Sequence, residues 1–335
     1  MRVENAQKKH KMKALYYMKR KHLAYIATAL LTTTLFSACG NVASKTSFYP
    51  YWQKNAIITE DVSETLVYDV LFTKGTSPLY NYTLEYQTGT FTTTLKSTVT
   101  NGEFLYEYTT DLRIKGTYSF EENVFSFEDY VTSTVTFKNT ANSLAPVTST
   151  KEFCSHSPQK VQASAQTKFA DWKVKGSVTV DHTTKKSSIT MEGYEKPAEK
   201  DISLTKQNEK YSYLDNEQLW IALRGVEQTA NSAPKFSVYA PFTGKVQTVA
   251  ATFSASVTEE NFSFELNGDP ITQNMTYFPV QLTLDEKNKG SAQTLWIAAA
   301  QDVKNNTYRN VILKNIVTIP YGIGTFTYQL KSAAF

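Results

Sequence analysis

The amino-acid sequence predicts a mainly β protein, built from antiparallel meanders with one short helix. The composition is the first indication: 21 Tyr and 19 Phe in a chain of 335 residues favour a pleated, half-buried surface. The hydrophobic pattern is the second, since apolar residues recur at every second position through much of the chain. A single segment instead has the period of a helix.

Residues 57–139 predict five or six strands. Over residues 80–86 and 131–137, apolar side chains alternate with polar ones. Alternation of this kind places one face of a strand on a core and the other in water. Asn101-Gly102 predicts a hairpin turn because both residues tolerate a positive φ.

Residues 140–168 break this pattern, because they are rich in Ser, Thr, Ala, Asn and Gln and include Pro146 and Pro158. Such a composition predicts a long loop, which would be either a surface excursion from one sheet or a boundary between two domains. Strand patterns resume at residues 174–180 and 188–191.

One helix is predicted to follow Asp215. Gln218 lies three residues further on, which is the spacing of a capping box, and Trp220 widens the apolar face. We expect the helix to end near Gln228. The apolar residues that recur with helical spacing are Leu219, Ala222, Leu223 and Val226.

The C-terminal part returns to the period of a strand. We therefore expect an antiparallel β domain over residues 56–335. The segments that predict strands are residues 236–240, 262–266, 278–284, 294–298, 311–319 and 325–330.

The charge of the chain is uneven along its length. The 35 Lys and Arg and 31 Asp and Glu give a net charge of +4, but eight of the former and one of the latter lie in residues 1–38. Residues 39–335 therefore hold 27 basic and 30 acidic residues, a net charge of −3. No long basic run remains there, so the sequence does not support nucleic-acid binding.

The N-terminus has the pattern of a secretory signal. Lys19-Arg20-Lys21-His22 precedes a mostly apolar run over residues 23–36, and small residues stand before Cys39. The run is shorter than the ~20 apolar residues that span a bilayer, which favours cleavage over an uncleaved anchor. We expect residues 1–38 to be a signal peptide, with translation starting at Met18 or else at Met12.

Phe36-Ser37-Ala38-Cys39 resembles the lipobox of bacterial lipoproteins. In that family the cysteine thiol receives a diacylglyceryl group, and a dedicated peptidase cuts before it. The resemblance therefore implies that Cys39 is lipidated, and two or more acyl chains such as palmitate give stable anchoring. It implies an extracytoplasmic protein held on a cell membrane or outer membrane, with residues 39–55 as a lipidated tether. The aromatic residues 49, 51 and 52 would either pack on the body or lie at the membrane interface.

No catalytic signature is present. The sequence lacks a Gly-x-Ser-x-Gly elbow, a His-Glu-x-x-His motif, a Walker loop and a Cys-x-x-Cys pair. After the signal the histidines are His156 and His182, and a Ser-His-Asp site would need one of them held by neighbours. We expect both in exposed loops, and we expect no enzymatic activity and no cofactor.

Carboxylate clusters are weak candidates for chemistry. Glu121-Glu122, Glu128-Asp129 and Glu259-Glu260 have the residue types of a glycosidase pair, but adjacent residues of a strand point to opposite faces. Asp215-Asn216-Glu217 lacks the acidic spacing of a calcium loop and fits a helix cap better.

Cys154-Ser155-His156 contains a thiol and an imidazole, which alone make no metal site. With Cys39 lipidated, Cys154 has no partner for an internal disulfide. We expect this segment to be a loop without a metal.

An N-terminal lipid, antiparallel meanders and one covering helix resemble the bacterial lipoprotein-carrier superfamily. That resemblance is architectural, and it implies a curved sheet or half-barrel that holds acyl chains in its concave face under a helical plug. The first hypothesis is therefore a non-enzymatic, anchored protein that binds an apolar or envelope-derived ligand. The alternative is a structural or interaction lipoprotein that binds another envelope protein through a sheet edge or face.

Overall fold

A computed structural model describes most of the predicted β body. The predicted signal, Cys39 and most of the predicted tether lie outside the described residues. Within them, no helix has both the length and the apolar character needed to cross a membrane. The described residues are 46, 48, 62–75, 83–100, 103–120, 122–140, 143–163, 166–193, 197–206, 208–284, 293–299, 301–303, 306–308, 310–319 and 324–335.

Strands dominate this part of the chain. Helix α1 spans Gln218–Ala222 and continues as a 3₁₀ turn at Leu223–Gly225, and another 3₁₀ turn spans Asn208–Lys210. The strands are β1 Val62–Lys74, β2 Thr83–Thr100, β3 Glu103–Phe120, β4 Asn123–Thr140, β5 Ser143–Ala163, β6 Gln166–Asp181, β7 Lys186–Met191, β8 Ala198–Asp201, β9 Ser212–Asp215, β10 Lys235–Ala240, β11 Lys245–Phe253, β12 Val257–Leu266, β13 Asp269–Leu284, β14 Gln293–Ala298, β15 Gln301–Val303, β16 Asn306–Tyr308, β17 Ile312–Ile319 and β18 Gly324–Ala334.

Strands β1 to β8 form one antiparallel meander, in which each strand pairs with its neighbour in sequence. β2 and β3 pair as far as Thr100 opposite Glu103. The turn predicted at Asn101-Gly102 lies between these paired ends, outside the described residues. β18 pairs with β1, so the C-terminal strands continue the same sheet.

The C-terminal strands close into a small barrel. Its order is β12, β13, β14, β17 and β18, and parallel pairing of β12 with β18 closes it, with Glu265 opposite Ser332 and Leu266 opposite Ala333. β11, β10 and β9 extend the sheet from β13. The predicted fold class, a mainly β protein with an antiparallel curved sheet and one short helix, is confirmed.

The prediction of a long loop over residues 140–168 is wrong, because most of these residues belong to β5 and β6. The inner face of β5 carries Ser149 and Lys151 in place of apolar residues, so the alternation there is hidden from a hydrophobicity pattern. Pro146 pairs with Phe137 at a shift in register, and such a bulge tolerates a proline within a strand.

The described residues of the N-terminal half form fewer strands than the five or six predicted. The described part of residues 57–139 holds four strands, β1 to β4, because β2, β3 and β4 each run for 18 residues. Strands of about 5–6 residues are more usual. The alternation itself is confirmed, since Val131 and Val135 are buried while Thr132 and Thr134 are more exposed.

The inner face of the sheet wraps around part of the chain itself. Residues 214–226, called here the inner segment, are all buried. The ring of Trp220 lies 5.9 Å from that of Tyr68 in β1, 5.0 Å from that of Phe91 in β2 and 6.1 Å from that of Tyr328 in β18. The inner segment therefore fills the space that the curved sheet encloses.

Candidate functional site

Polar and charged side chains converge where β5 faces β9, and this group is called here the buried polar cluster. Alternation along β5 directs Ser149 and Lys151 to the inner face. His182 follows β6, and its backbone N–H donates to the carbonyl of Val147 at 2.9 Å. The cluster consists of Ser149, Lys151, His182, Tyr213, Asp215 and Glu217.

Asp215 and His182 organise one half of the cluster. The hydroxyl of Ser149 donates to Oδ2 of Asp215 at 3.0 Å and lies 3.1 Å from Nε2 of His182. Nε2 is also 3.4 Å from Oδ2 of Asp215. The other ring nitrogen, Nδ1, lies 2.9 Å from the hydroxyl of Tyr213. The side chains of His182 and Asp215 are both 0% exposed, so these two groups are closed to water, while Tyr213 is partly exposed.

Lys151 and Glu217 form the other half. The ammonium group of Lys151 donates to Oε1 of Glu217, and the side-chain amide of Asn216 donates to the same oxygen at 3.1 Å. The two charged side chains are 1% and 4% exposed. A buried ion pair offsets its large desolvation cost only through close geometry and additional hydrogen bonds, and Asn216 supplies one such bond.

The N-cap of the helix is Glu217, which makes no side-chain cap hydrogen bond, and not Asp215 as predicted. Oδ1 of Asp215 accepts from the backbone N–H of Glu217 at 3.0 Å, while Oε1 of Gln218 accepts from the N–H of Asp215 at 3.3 Å. The second bond is the return bond of the predicted capping box, but Asp215 bonds a backbone N–H two residues further on and not three. The helical segment ends at Gly225, earlier than the predicted end near Gln228.

The pKa of Asp215 lies below its ordinary value. Burial acts to raise this pKa, but the hydrogen bond with His182 and the positive charge of Lys151 outweigh that effect. Burial also raises the pKa of the Tyr213 hydroxyl, which the charge of Asp215 raises further. Tyr213 therefore remains a neutral hydrogen-bonding group beside the histidine.

Ser149, His182 and Asp215 are the residue types of an acyl-transfer triad, but their geometry is different. A triad needs the carboxylate on one ring nitrogen and the serine on the other. Here Ser149 and Asp215 both lie at Nε2, and the serine donates its proton to the carboxylate. This arrangement joins β5, the turn after β6, and β9; it does not activate the serine.

His156 lies in β5 and not in a loop. Its Nδ1 is 2.9 Å from Oδ1 of Asp129, which also accepts from the backbone N–H of His156 at 2.8 Å. Asp129 faces inwards, whereas Glu128 lies on the outer face, 3.6 Å from Lys115. Glu128 and Asp129 therefore point to opposite faces, as expected of neighbours in a strand.

His182 is buried and the side chain of His156 is only 12% exposed, so the expectation that both histidines are solvent-exposed is wrong. Cys154 is a buried free thiol within β5, and burial raises its pKa, which disfavours the reactive thiolate. Among the described residues, no group of three or more His, Cys, Asp and Glu side chains is arranged to hold a metal.

Sequence reasoning missed Ser149, Lys151 and the partnership of His182 with Asp215. The partners are far apart in sequence, since 66 residues separate Lys151 from Glu217 and Ser149 from Asp215. One signal was available: Ser149, Lys151 and Phe153 occupy alternate positions, and a charge on the inner face of a strand requires a buried partner.

Two pockets lie on the described surface. Polar and charged residues line most of the larger one, whereas polar and apolar residues line the smaller one in nearly equal number. One of about 720 Å³ lies over β5 to β8, with Thr150, Asp181 and Lys186 in its wall. The second, of about 440 Å³, lies between β1, β18 and the barrel strands, where Lys331 is 3.2 Å from Asp69. The wall of the larger pocket includes Ser149, which is 2% exposed, but neither wall includes His182 or Asp215.

Comparisons with known proteins show a distant structural similarity. No family model matches the chain, and a search of curated protein sequences gives no significant match. Among solved structures, the chain is similar to a β-barrel-like protein of a domain of unknown function, DUF1849, from Brucella abortus. The identity is 10% and the TM-score is 0.39, over 81% of this chain and 97% of that one.

Proposed function

We propose that the protein is an extracytoplasmic lipoprotein, anchored by lipid on Cys39, whose β body serves as a non-enzymatic interaction or structural module of the cell envelope. The anchor is supported by the order of basic residues, apolar run, small residues and cysteine at the N-terminus. The interaction module is supported by the burial of residues 214–226 against the inner face of the sheet.

The observation that carries the choice of an interaction module is the inner segment. Residues 214–226 are all buried against the inner face of the sheet, and Trp220 packs there on Tyr68, Phe91 and Tyr328. A carrier of acyl chains needs this face for its ligand. Since the chain itself occupies it, the outer face and the sheet edges remain for a partner.

Two observations favour a body without catalysis. The Ser149–His182–Asp215 group is closed to water, and Ser149 shares one ring nitrogen with the carboxylate. Among the described residues, the carboxylate pairs singled out in the sequence give no glycosidase geometry either: Glu128 points away from Asp129, and Glu259 lies 3.8 Å from Lys314.

A comparison of wild type with Cys39→Ser tests the anchor. Wild type is expected in the membrane fraction, with an N-terminal peptide that begins at Cys39 and carries the mass of two or more acyl chains. Cys39→Ser is expected to lack this mass and to leave the membrane fraction once its signal is removed. An unmodified Cys39 in membrane-bound wild type would contradict the proposal.

Solvent extraction tests the nature of the body. The test uses a protein of residues 40–335, which include every described residue. It would be exported with a signal peptide whose removal leaves no lipidated cysteine. Mass spectrometry of an organic extract is expected to show no stoichiometric apolar molecule, and fluorescent fatty acids are expected not to bind. A stoichiometric lipid would overturn the interaction module in favour of a ligand carrier.

A further inference from the structure

The anchor-proximal chain is fastened to one end of the β body. Thr46 lies in the predicted tether, yet its hydroxyl donates to the carbonyl of Lys235 at 3.4 Å, and its own carbonyl accepts from the hydroxyl of Ser212 at 3.3 Å. Phe48 is 4% exposed and packs on Phe236, with ring centroids 6.2 Å apart.

These contacts all lie at the same end of two parallel strands. Ser212 and Lys235 are the first residues of β9 and β10, and the register places Phe236 opposite Ser212. The 3₁₀ turn just before β9 lies at this end too, since the hydroxyl of Ser237 donates to the carbonyl of Asn208 at 2.6 Å. This end of the body is called here the docking end.

We propose that Thr46 and Phe48 hold the docking end of the body against the membrane surface. The inference rests on the proposed lipid on Cys39. Seven residues separate Cys39 from Thr46, and even a fully extended chain of that length spans only about 25 Å. A body fastened at Thr46 therefore cannot move far from the lipid headgroups.

The opposite end of β10 is turned away from the membrane. β10 runs from Lys235 to Ala240 and is followed by a turn that contains the exposed Thr243. Five residue steps along a strand cover ~17 Å, so the far end of β10 lies about that distance from the docking end. Lys210, in the 3₁₀ turn, is exposed at the docking end. It therefore serves as the labelling position nearer the membrane, and Thr243 as the one further away.

Electrostatic attraction is not required for this orientation. Residues 39–335 have a net charge of −3. In and beside the 3₁₀ turn at the docking end, the exposed Lys206 and Lys210 accompany the exposed Glu209. We therefore expect the orientation to persist when the fraction of anionic lipid or the salt concentration changes, since the covalent anchor and the contacts of Thr46 and Phe48 set it.

Fluorescence quenching in vesicles tests the orientation. Lipidated full-length protein with Cys154→Ala and either Lys210→Cys or Thr243→Cys would be labelled with a small fluorophore. Each would be reconstituted in vesicles of phosphatidylcholine and phosphatidylglycerol that contain a headgroup-linked nitroxide. Quenching is expected to be several-fold stronger at position 210 than at position 243. Equal quenching at the two positions would overturn the inference.

A matched variant tests whether the short connection between the lipid and Thr46 sets the orientation. Twenty Gly and Ser residues inserted between Ala43 and Ser44 lengthen the chain from the lipid but leave Thr46 and Phe48 in sequence. The difference between positions 210 and 243 is expected to disappear, while thermal unfolding of the body stays the same. If the difference persists with the insertion, the short connection does not set the orientation.

The mass of the N-terminal peptide is measured on the same samples. A lipidated Cys39 with equal quenching at both positions refutes the orientation and leaves the anchor standing. An unlipidated Cys39 with no quenching at either position refutes the anchor and the orientation together. The two failures are therefore distinguishable.

Discussion

Arg224, on the 3₁₀ turn after α1, binds Glu64 of β1 through two hydrogen bonds. Nη1 donates to Oε1 at 2.5 Å and Nη2 donates to Oε2 at 2.8 Å, across 160 residues of sequence. The side chains are 1% and 4% exposed. Asn310 donates to the carbonyl of Arg224 at 2.7 Å. This two-point geometry ties the end of the inner segment to the first strand of the sheet.

Replacement of Arg224 tests this tie. Arg224→Ala leaves the carboxylate of Glu64 buried without its cation, so the free energy of unfolding is expected to fall by about 3–5 kcal/mol in urea titrations. The matched control is Arg113→Ala, which removes an exposed pair with Asp111 and is expected to cost less than about 1 kcal/mol. Equal losses in both variants would show that the buried pair does not hold the inner segment.

The sequence was sufficient to predict the sheet but not this ion pair. Glu64, Leu66, Tyr68 and Val70 share one face of β1, and the apolar members alone predict a strand. The partner of the buried Glu64 is Arg224, which lies on a 3₁₀ turn 160 residues further along the chain. The order of strands is local for β1 to β8 and therefore follows from sequence, whereas closure of the barrel through β12 and β18 depends on remote contacts.

Asp215 predicts a dependence of stability on pH. The hydrogen bond with His182 and the charge of Lys151 hold its folded pKa below the ordinary 3.8, against the effect of burial. Between these two pKa values the unfolded chain binds more protons, so Asp215 stabilises the fold above about pH 4 and this stabilisation is lost as the pH falls further.

Urea titrations between pH 7 and pH 3 measure this effect. Asp215→Asn is expected to be less stable than wild type at pH 7 and to lose less stability on acidification, because the titrating group is gone. Thr150→Ala changes a neutral side chain on the outer face of β5 and should keep the wild-type pH slope. A wild-type slope in Asp215→Asn would show that other groups cause the acid sensitivity.

Buried tyrosines predict the opposite sensitivity at alkaline pH. Burial raises the pKa values of Tyr68, Tyr108 and Tyr328 far above 10, so the unfolded chain releases these protons first. Their contribution to stability is therefore complete below about pH 10 and is lost as the pH rises beyond it. Phenolate absorbance and circular dichroism, followed together, should change in one cooperative step for these residues. The prediction would be contradicted if all tyrosines, including the three buried ones, showed phenolate absorbance while the circular dichroism stayed that of the folded protein.

The buried polar cluster shows why the site was harder to predict than the fold. The sequence drew attention to His182 and to Asp215, but each in a separate role, as an exposed loop residue and a helix cap. Their contact arises because β9 packs across the inner face of β5, which the sequence does not reveal. Ser149 gave no signal of its own in the sequence.

Chemical labelling tests whether Ser149 is a nucleophile. The hydroxyl donates to Asp215 and is closed to water, so a fluorophosphonate is expected to leave Ser149 unmodified in the folded protein. Ser149→Ala is expected to lower the free energy of unfolding by about 1–3 kcal/mol because Asp215 and His182 lose a partner. A stoichiometric adduct on Ser149 at neutral pH would revive an acyl-transfer enzyme.

Glycines opposite aromatic rings let the long strands pack closely. Gly116 of β3 pairs with Phe127 of β4, and Gly176 of β6 pairs with Phe153 of β5. In each pair the ring lies over the glycine: a Cβ added at Gly176 would stand 2.9 Å from Cζ of Phe153 and would also meet the carbonyl oxygen of Thr190. Glycine at such a position therefore provides room for the neighbouring ring and backbone.

Gly176→Ala is expected to lower the free energy of unfolding by about 1–3 kcal/mol, because the added methyl group overpacks the interface of β5, β6 and β7. The neighbouring Ser177→Ala is the control, since Ser177 lies on the other face of β6 and its loss should change stability by less than about 0.5 kcal/mol. Urea titrations of both variants measure the difference.

Hydrogen exchange gives a second measurement of the same contact. The carbonyl of Thr190 belongs to the backbone of β7, so β7 must shift to relieve the clash with the added methyl group. Amide hydrogen exchange in β7 should therefore accelerate in Gly176→Ala alone. Unchanged stability together with unchanged exchange would show that the close approach at Gly176 is not a constraint on the sheet.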